Sequence, residues 1–142
     1  MKIQKIRKVK TPSRGTPWSA GIDFYIPDEF GTILIEPQTG VNIPSGIRAE
    51  IPKGKSLVFF NKSGMATRKN LMVGASVVDE DYQGEIHLHV INCGGEPVVL
   101  EAGTKLVQGL LLDVMYAPVT VHEEIHQVPT QRGSGGFGST GK

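Results

Sequence analysis

Three stretches of the chain combine residue types that could do chemistry. Val78-Asp79-Glu80-Asp81-Tyr82-Gln83-Gly84 sets three carboxylates and a tyrosine at the end of a β-branched run. A carboxylate there suits a general base, provided it lies within hydrogen-bond reach of the proton it takes. A polar turn has the same composition, so this segment alone does not decide. Asn61-Lys62-Ser63-Gly64 offers a cation, a hydroxyl and free backbone N–H groups at an expected helix start. That combination suits an anion, although a serine there is also an ordinary cap. The third stretch, Thr130–Lys142, holds five glycines and one large apolar side chain, Phe137. Arg132, Ser134, Ser139, Thr140 and Lys142 offer donors along it, and glycine-rich backbone can turn several N–H groups toward one anion. Ordering each residue costs about 1–2 kcal/mol, while burying Phe137 returns only about 1.5–3 kcal/mol. The tail is therefore expected to be disordered until a ligand orders it.

The tail also contains a decoy. Gly136-Phe137-Gly138-Ser139-Thr140-Gly141-Lys142 matches most of a P-loop. A P-loop must follow a strand and open a helix whose N-terminus faces the phosphates. Here no Ser or Thr and no helical pattern follow the lysine, so the P-loop reading fails and an anion-binding tail stands.

The elements that must position these residues are short. Eighteen glycines and nine prolines punctuate the 142 residues. Strands are expected at Thr32–Glu36, Gly46–Ile51, Ser56–Phe60, Gly74–Asp79, Glu85–Asn92, Pro97–Leu100, Lys105–Val114 and Val119–His122, with a turn at Asp81–Gly84. Ile86, Leu88 and Val90 alternate with Glu85, His87 and His89, which predicts one buried and one open strand face. Only Ser63–Thr67 invites a helix, with Ser63 as its N-cap. Many short strands between turns predict an all-β fold, a jelly-roll-like barrel or sandwich with at most one short helix. Residues 1–129 form its single domain, and 130–142 a flexible glycine-rich arm.

Composition removes several function classes. Fifteen basic and 14 acidic side chains give a formal net charge of +1, so no global field calls for nucleic acid or an anionic membrane. The early cations Lys2, Lys5, Arg7, Lys8, Lys10 and Arg14 lack interleaved aromatics on which bases could stack; they read as a solvated edge strand. No apolar run approaches the roughly 20 residues of a membrane span, and the first 20 residues lack the apolar stretch of a signal peptide. One cysteine, Cys93, excludes an intramolecular disulfide and fits a reducing compartment. A soluble, intracellular protein, cytoplasmic by default, is the expectation. Cys93 has no catalytic partner in view, Trp18 is expected to pack, and His87, His89, His122 and His126 read as solvated rather than as a zinc set.

Taken in order, these segments resemble the five motifs of the homotrimeric dUTP pyrophosphatase (dUTPase) family. Ala20-Gly21-Ile22-Asp23 resembles the first, Lys62-Ser63-Gly64-Met65-Ala66 the second, and Gly74–Glu85 the third. Gly103-Thr104-Lys105-Leu106-Val107-Gln108 is similar to the fourth, and Arg132–Gly141 to the fifth. The resemblance implies hydrolysis of dUTP to dUMP and pyrophosphate with Mg²⁺, by in-line attack of water on the α-phosphorus. It implies Asp79 as general base, Tyr82 against the deoxyribose, and uracil read by the backbone of the Leu71–Tyr82 hairpin, Val78 included. It gives the phosphates to Lys62, Ser63, Gly64 and Gln108. Arg132, Gly138, Ser139 and Thr140 close on the substrate from the arm, and Phe137 stacks on the base. Mg²⁺ rides mainly on substrate phosphates; Asp23 either reaches it through water or braces the site. A homotrimer with shared active sites is also implied, with no stable nucleic-acid binding and no membrane. Three departures stand out. Lys62 and Lys105 occupy positions where the family usually has arginine, and Val107 one where it usually has alanine. A dCTP deaminase shares the fold but not the Asp79/Tyr82 pair or the tail; ammonia release from dCTP would identify one. A mainly regulatory binding protein would keep the motifs without turnover.

Overall fold

The computed structural model describes residues 1–125 and 128–137. Among these, eleven short strands, one α-helix and one 3-10 turn (Asp28–Phe30) follow in chain order. The strands are β1 (Lys2–Lys5), β2 (Ile22–Tyr25), β3 (Thr32–Ile35), β4 (Gly40–Pro44), β5 (Ile47–Glu50) and β6 (Lys55–Asn61). The helix α1 (Ser63–Lys69) precedes β7 (Leu71–Val73), β8 (Val77–Val78), β9 (His87–Asn92), β10 (Val98–Glu101) and β11 (Lys105–Asp113). Every pairing is antiparallel. The main sheet runs β2-β11-β6-β8, a second runs β4-β9-β7, and the pairs β1-β5 and β3-β10 complete the all-β framework.

Alternation builds the core. In β9 Leu88, Val90 and Asn92 are buried while His87 is exposed and His89 and Ile91 half-buried, as the period-two pattern predicts. Leu57 and Phe59 of β6 face inward, and Phe59 meets Phe24 of β2 edge-to-face with centroids 4.9 Å apart, the arrangement the ring quadrupoles favour. Gly109 of β11 crosses this cluster: a β-carbon there would lie 2.8 Å from Leu57 and 3.2 Å from Phe59.

Several sequence expectations need correction. Ser63 is the first residue of α1 rather than its cap; Lys62 holds the cap position in extended conformation with no side-chain capping bond, since an ammonium has no acceptor for a backbone N–H, and it donates to Asp23. Asn70, left-handed at φ 51°, ends the helix and donates its N–H to Met65 O. The Gly74–Asp79 run yields only the two-residue β8, since the Ala75 N–H donates to a histidine side chain instead of a ladder partner. The turn predicted at Asp81–Gly84 begins earlier, with Tyr82 N–H donating to Asp79 O. Val119–His122 forms no strand; β-propensity without a neighbouring edge does not make one. Strands β2, β4 and β7 were not foreseen. Trp18 does not pack: it is 95% exposed. His126, set aside above, lies outside the described residues.

Candidate functional site

One centre forms around Asp23, a buried carboxylate on β2. Lys62 donates to its Oδ1, and Lys105 Nζ lies 2.9 Å from its Oδ2. Burial pushes the Asp23 carboxyl up, but the hydrogen bonds and charges of Lys62 and Lys105 outweigh it and hold the group below its ordinary value. The reciprocal pull raises Lys105. Arg14 braces the approach to β2 by donating to the carbonyls of Ser19 and Ala20.

A β-bulge makes this centre possible. The register of β11 against β2 slips between Lys105 and Val107, so Lys105 pairs with Tyr25 and Gln108 with Asp23. In a regular strand, residues 105 and 108 face opposite ways. The extra residue returns both to one side, a re-aiming that bulges commonly perform beside functional sites. Gln108 Nε2 donates to Asn61 O over 2.9 Å, and its side chain fills the space a β-carbon would need at Gly21, with Oε1 only 2.3 Å from that position. Lys62, Ser63, Gly64, Met65, Arg68, Lys69 and Lys105 line an adjoining cavity of about 340 Å³. Its charged lining is entirely cationic, which fits a polyanion.

A second centre forms on the carboxylate turn. Phe59, Ala75–Asp79, Tyr82, Ile86 and His87 line a cavity of about 200 Å³, room for one flat ring. Asp79 is exposed at its edge. Glu80 is occupied structurally, its Oε2 accepting the Gly54 N–H over 2.5 Å. The Tyr82 hydroxyl donates to Glu85 O over 2.8 Å, and Gly84 leaves room for it, since a β-carbon there would stand 2.4 Å from the oxygen. Glu85 in turn accepts from Arg7 Nε and Nη2 at 2.7 and 3.0 Å and from the Gly46 N–H at 2.8 Å. Arg7 holds the Glu85 carboxyl below its usual value against the opposing effect of burial, with Gly46 assisting. On the other flank, Ala75 N–H donates to His89 Nδ1 over 3.0 Å and Gly74 N–H to His89 O over 3.1 Å.

The candidate residues thus fall into two groups. Lys62, Ser63 and Gly64 share the cationic cavity, with Gln108 beside Asp23; Val78, Asp79 and Tyr82 share the ring-sized one. The two cavities have no lining residue in common. Arg132 Nε donates to Gly135 O within the tail, and Phe137 is fully exposed. Gly138, Ser139 and Thr140 lie outside the described residues. Lys105, Arg7 and His89 carry structural duties at the site that sequence reasoning missed. Lys105 needed the bulge, Arg7 a contact across 78 positions, and His89 was legible only as one face of β9.

Antiparallel strands that hold a cationic cavity apart from a ring-sized cavity edged by a carboxylate and a tyrosine define an all-β nucleotide hydrolase. The dUTPase family model matches residues 7–141, and the chain belongs to that family. It is 37% identical over 142 residues to the deoxyuridine 5'-triphosphate nucleotidohydrolase of Desulfitobacterium hafniense, covering 98% of this chain and 92% of that protein. The Chlamydia pneumoniae protein of the same name is 37% identical over 132 residues, covering 92% and 90%. The dUTPase of Staphylococcus bacteriophage 80alpha, solved with dUPNHPP, superposes with a TM-score of 0.87 at 20% identity, over 99% of this chain and 98% of that one. The fold is therefore the jelly-roll type of these enzymes, and the chain hydrolyses dUTP to dUMP and pyrophosphate. Among the described residues no helix is long and apolar enough to cross a membrane.

Proposed function

We propose that Asp79 is the general base of this hydrolysis, that the two cavities are the nucleoside and phosphate halves of active sites shared between subunits of a homotrimer, and that residues 130–142 are an arm closing over a barrel of residues 1–129. The observation that carries the reading is the division of labour between the cavities: a carboxylate and tyrosine at one, cations and a hydroxyl at the other, with no residue shared.

Uracil enters the smaller cavity, where backbone groups of the Leu71–Tyr82 segment, Val78 included, read its edge. Tyr82 has its hydroxyl tethered to Glu85 O, which leaves the ring face for the deoxyribose. Asp79 takes a proton from the attacking water as the new bond to the α-phosphorus forms; the bond to the bridging oxygen breaks, and pyrophosphate leaves. Positioning and charge neutralisation supply most of the rate in such a displacement. Lys62, Ser63, Gly64 and Gln108 hold the phosphates. Arg132, Gly138, Ser139 and Thr140 close on the triphosphate from the arm, and Phe137 covers the base.

The reading takes Mg²⁺ as the cofactor, which would be carried mainly by the substrate's phosphates and would need no all-protein cage. Among the described residues no group of three His, Cys, Asp or Glu could hold a metal ion. Asp23 has both oxygens engaged by lysines, so its assigned task is to brace Lys62 and Lys105. Bound to the phosphates, Mg²⁺ supplies neutralisation of the charge that gathers on the leaving group. The dUTPase of the S. aureus phage phi11, in a mutant form, is described with a structural Mg(II) ion.

Pyrophosphate release measured across dUTP, dTTP, dCTP and UTP tests the substrate assignment, with selective turnover of dUTP expected. Asp79→Asn should retain dUTP binding and lose on the order of 10²–10⁴ in kcat, the worth of a positioned base. Turnover within a few-fold of the unmodified enzyme would remove Asp79 from the role.

A further inference from the structure

Helical side chains lean toward the N-terminus, so a residue on the last turn of a short helix can reach back over its first. Arg68, on the last turn of α1, does this: a β-carbon at Gly64 would lie 2.6 Å from its Nη2 and 3.4 Å from its Cζ. Only the bare glycine lets the guanidinium lie there. Both residues line the cationic cavity with Lys62, Ser63 and Lys105. Lys62 and Lys105 are already engaged by Asp23. Among the described residues Arg68 has no ion pair and no hydrogen bond from its side chain, and no carboxylate lines the cavity.

We propose that Arg68 contacts the substrate's phosphate chain and is the planar, two-pronged donor of a cavity whose other lining cations are lysines, distinct from the Arg132 that the arm would bring. This rests on the assignment of the Lys62–Gly64 cavity to the phosphates. The chemistry favours it: a guanidinium meets two phosphate oxygens with parallel N–H bonds, whereas an ammonium acts as a point charge. Lys62 and Lys105, balanced by one carboxylate, leave one net positive charge; Arg68 and Lys69 raise the lining to a level that suits a triphosphate. A guanidinium merely solvated on the helix surface would have no reason to depend on Gly64.

The test compares Arg68→Gln, Arg68→Lys and Lys62→Gln in the full-length enzyme, reading KM and kcat for dUTP and the inhibition constant of deoxyuridine, which has no phosphate. Arg68→Gln should raise KM for dUTP by about tenfold or more, with Arg68→Lys in between, because charge survives in it but the fork does not. Deoxyuridine inhibition should stay unchanged. A silent Arg68→Gln beside a damaging Lys62→Gln overturns the role of Arg68 alone. If both are silent, the phosphate assignment of the cavity falls with it. An equal weakening of deoxyuridine in Arg68→Gln shows a disturbed fold and also overturns the proposal.

Discussion

Asp23 sets the charge at the proposed phosphate half of the site by holding two lysines on one buried carboxylate. Replacing it with asparagine leaves Lys62 and Lys105 with a neutral amide between them, one acceptor oxygen in place of two and no charge to balance theirs. Breaking a fully buried pair costs about 3–5 kcal/mol; the lysines here keep partial access to water, so Asp23→Asn should lose roughly 1–3 kcal/mol at neutral pH. The sign of the pH dependence follows from the depressed Asp23 carboxyl. Its contribution is complete above the unfolded-state value of about 3.9 and disappears as pH falls through the lower folded value. Glu85, held down by Arg7, acts in the same direction. Urea unfolding at pH 7, 5 and 3 should therefore show the gap between the parent protein and Asp23→Asn closing toward the acid end. A gap that widens with acid would show that the carboxylate is not the stabilising form.

At the scale of elements, the hairpin proposed to read the base depends on a histidine wedged between glycines. A β-carbon on Gly74 would stand 2.1 Å from His89 Nδ1, and one on Gly40 would stand 3.0 Å from its Nε2. Gly74→Ala must displace the ring and with it the bond from the Ala75 N–H. We expect about 1–3 kcal/mol of destabilisation, the usual cost of overpacking, and a KM for dUTP that rises more than kcat falls. His89→Ala in the same chain should recover much of the stability but not the KM; melting temperatures and steady-state kinetics of both variants would decide. This coupling also marks how far the sequence could be read. The inward face of β9 was legible because Leu88 and Val90 carry local periodicity; the short helix was placed at the right window, although Ser63 opens it rather than capping it. The truncation of Gly74–Asp79 to two strand residues was not, because it follows from a side chain fifteen positions from Gly74. The bulge at Leu106 was equally invisible, although it alone puts Lys105 and Gln108 on one side. Asp79, Tyr82, Lys62 and Ser63 could be picked out in sequence; their separation into two cavities could not.

At the scale of the whole molecule, that separation makes a quantitative prediction about assembly. The segment after β11 exposes Met115, Tyr116, Val119, Val121, Ile125 and Val128, each at least 64% accessible. So much apolar surface along one stretch asks for a partner, and in the proposed homotrimer the natural partner is the neighbouring copy. If each active site takes Asp79 from one subunit and the arm from another, two inactive variants should repair each other. Asp79→Asn keeps the arm, and a chain lacking residues 132–142 keeps Asp79. Either trimer alone should show almost no pyrophosphate release. Refolded together in equal amounts, they should regain activity at about a quarter of their sites, the random chance that an intact Asp79 meets an intact arm from another subunit. Mixing without unfolding should restore nothing until subunits exchange. An inactive refolded mixture that sediments as a trimer would mean that each arm serves its own chain's Asp79. The shared-site arrangement would then be wrong, while the assignments of Asp79 and the arm would both survive.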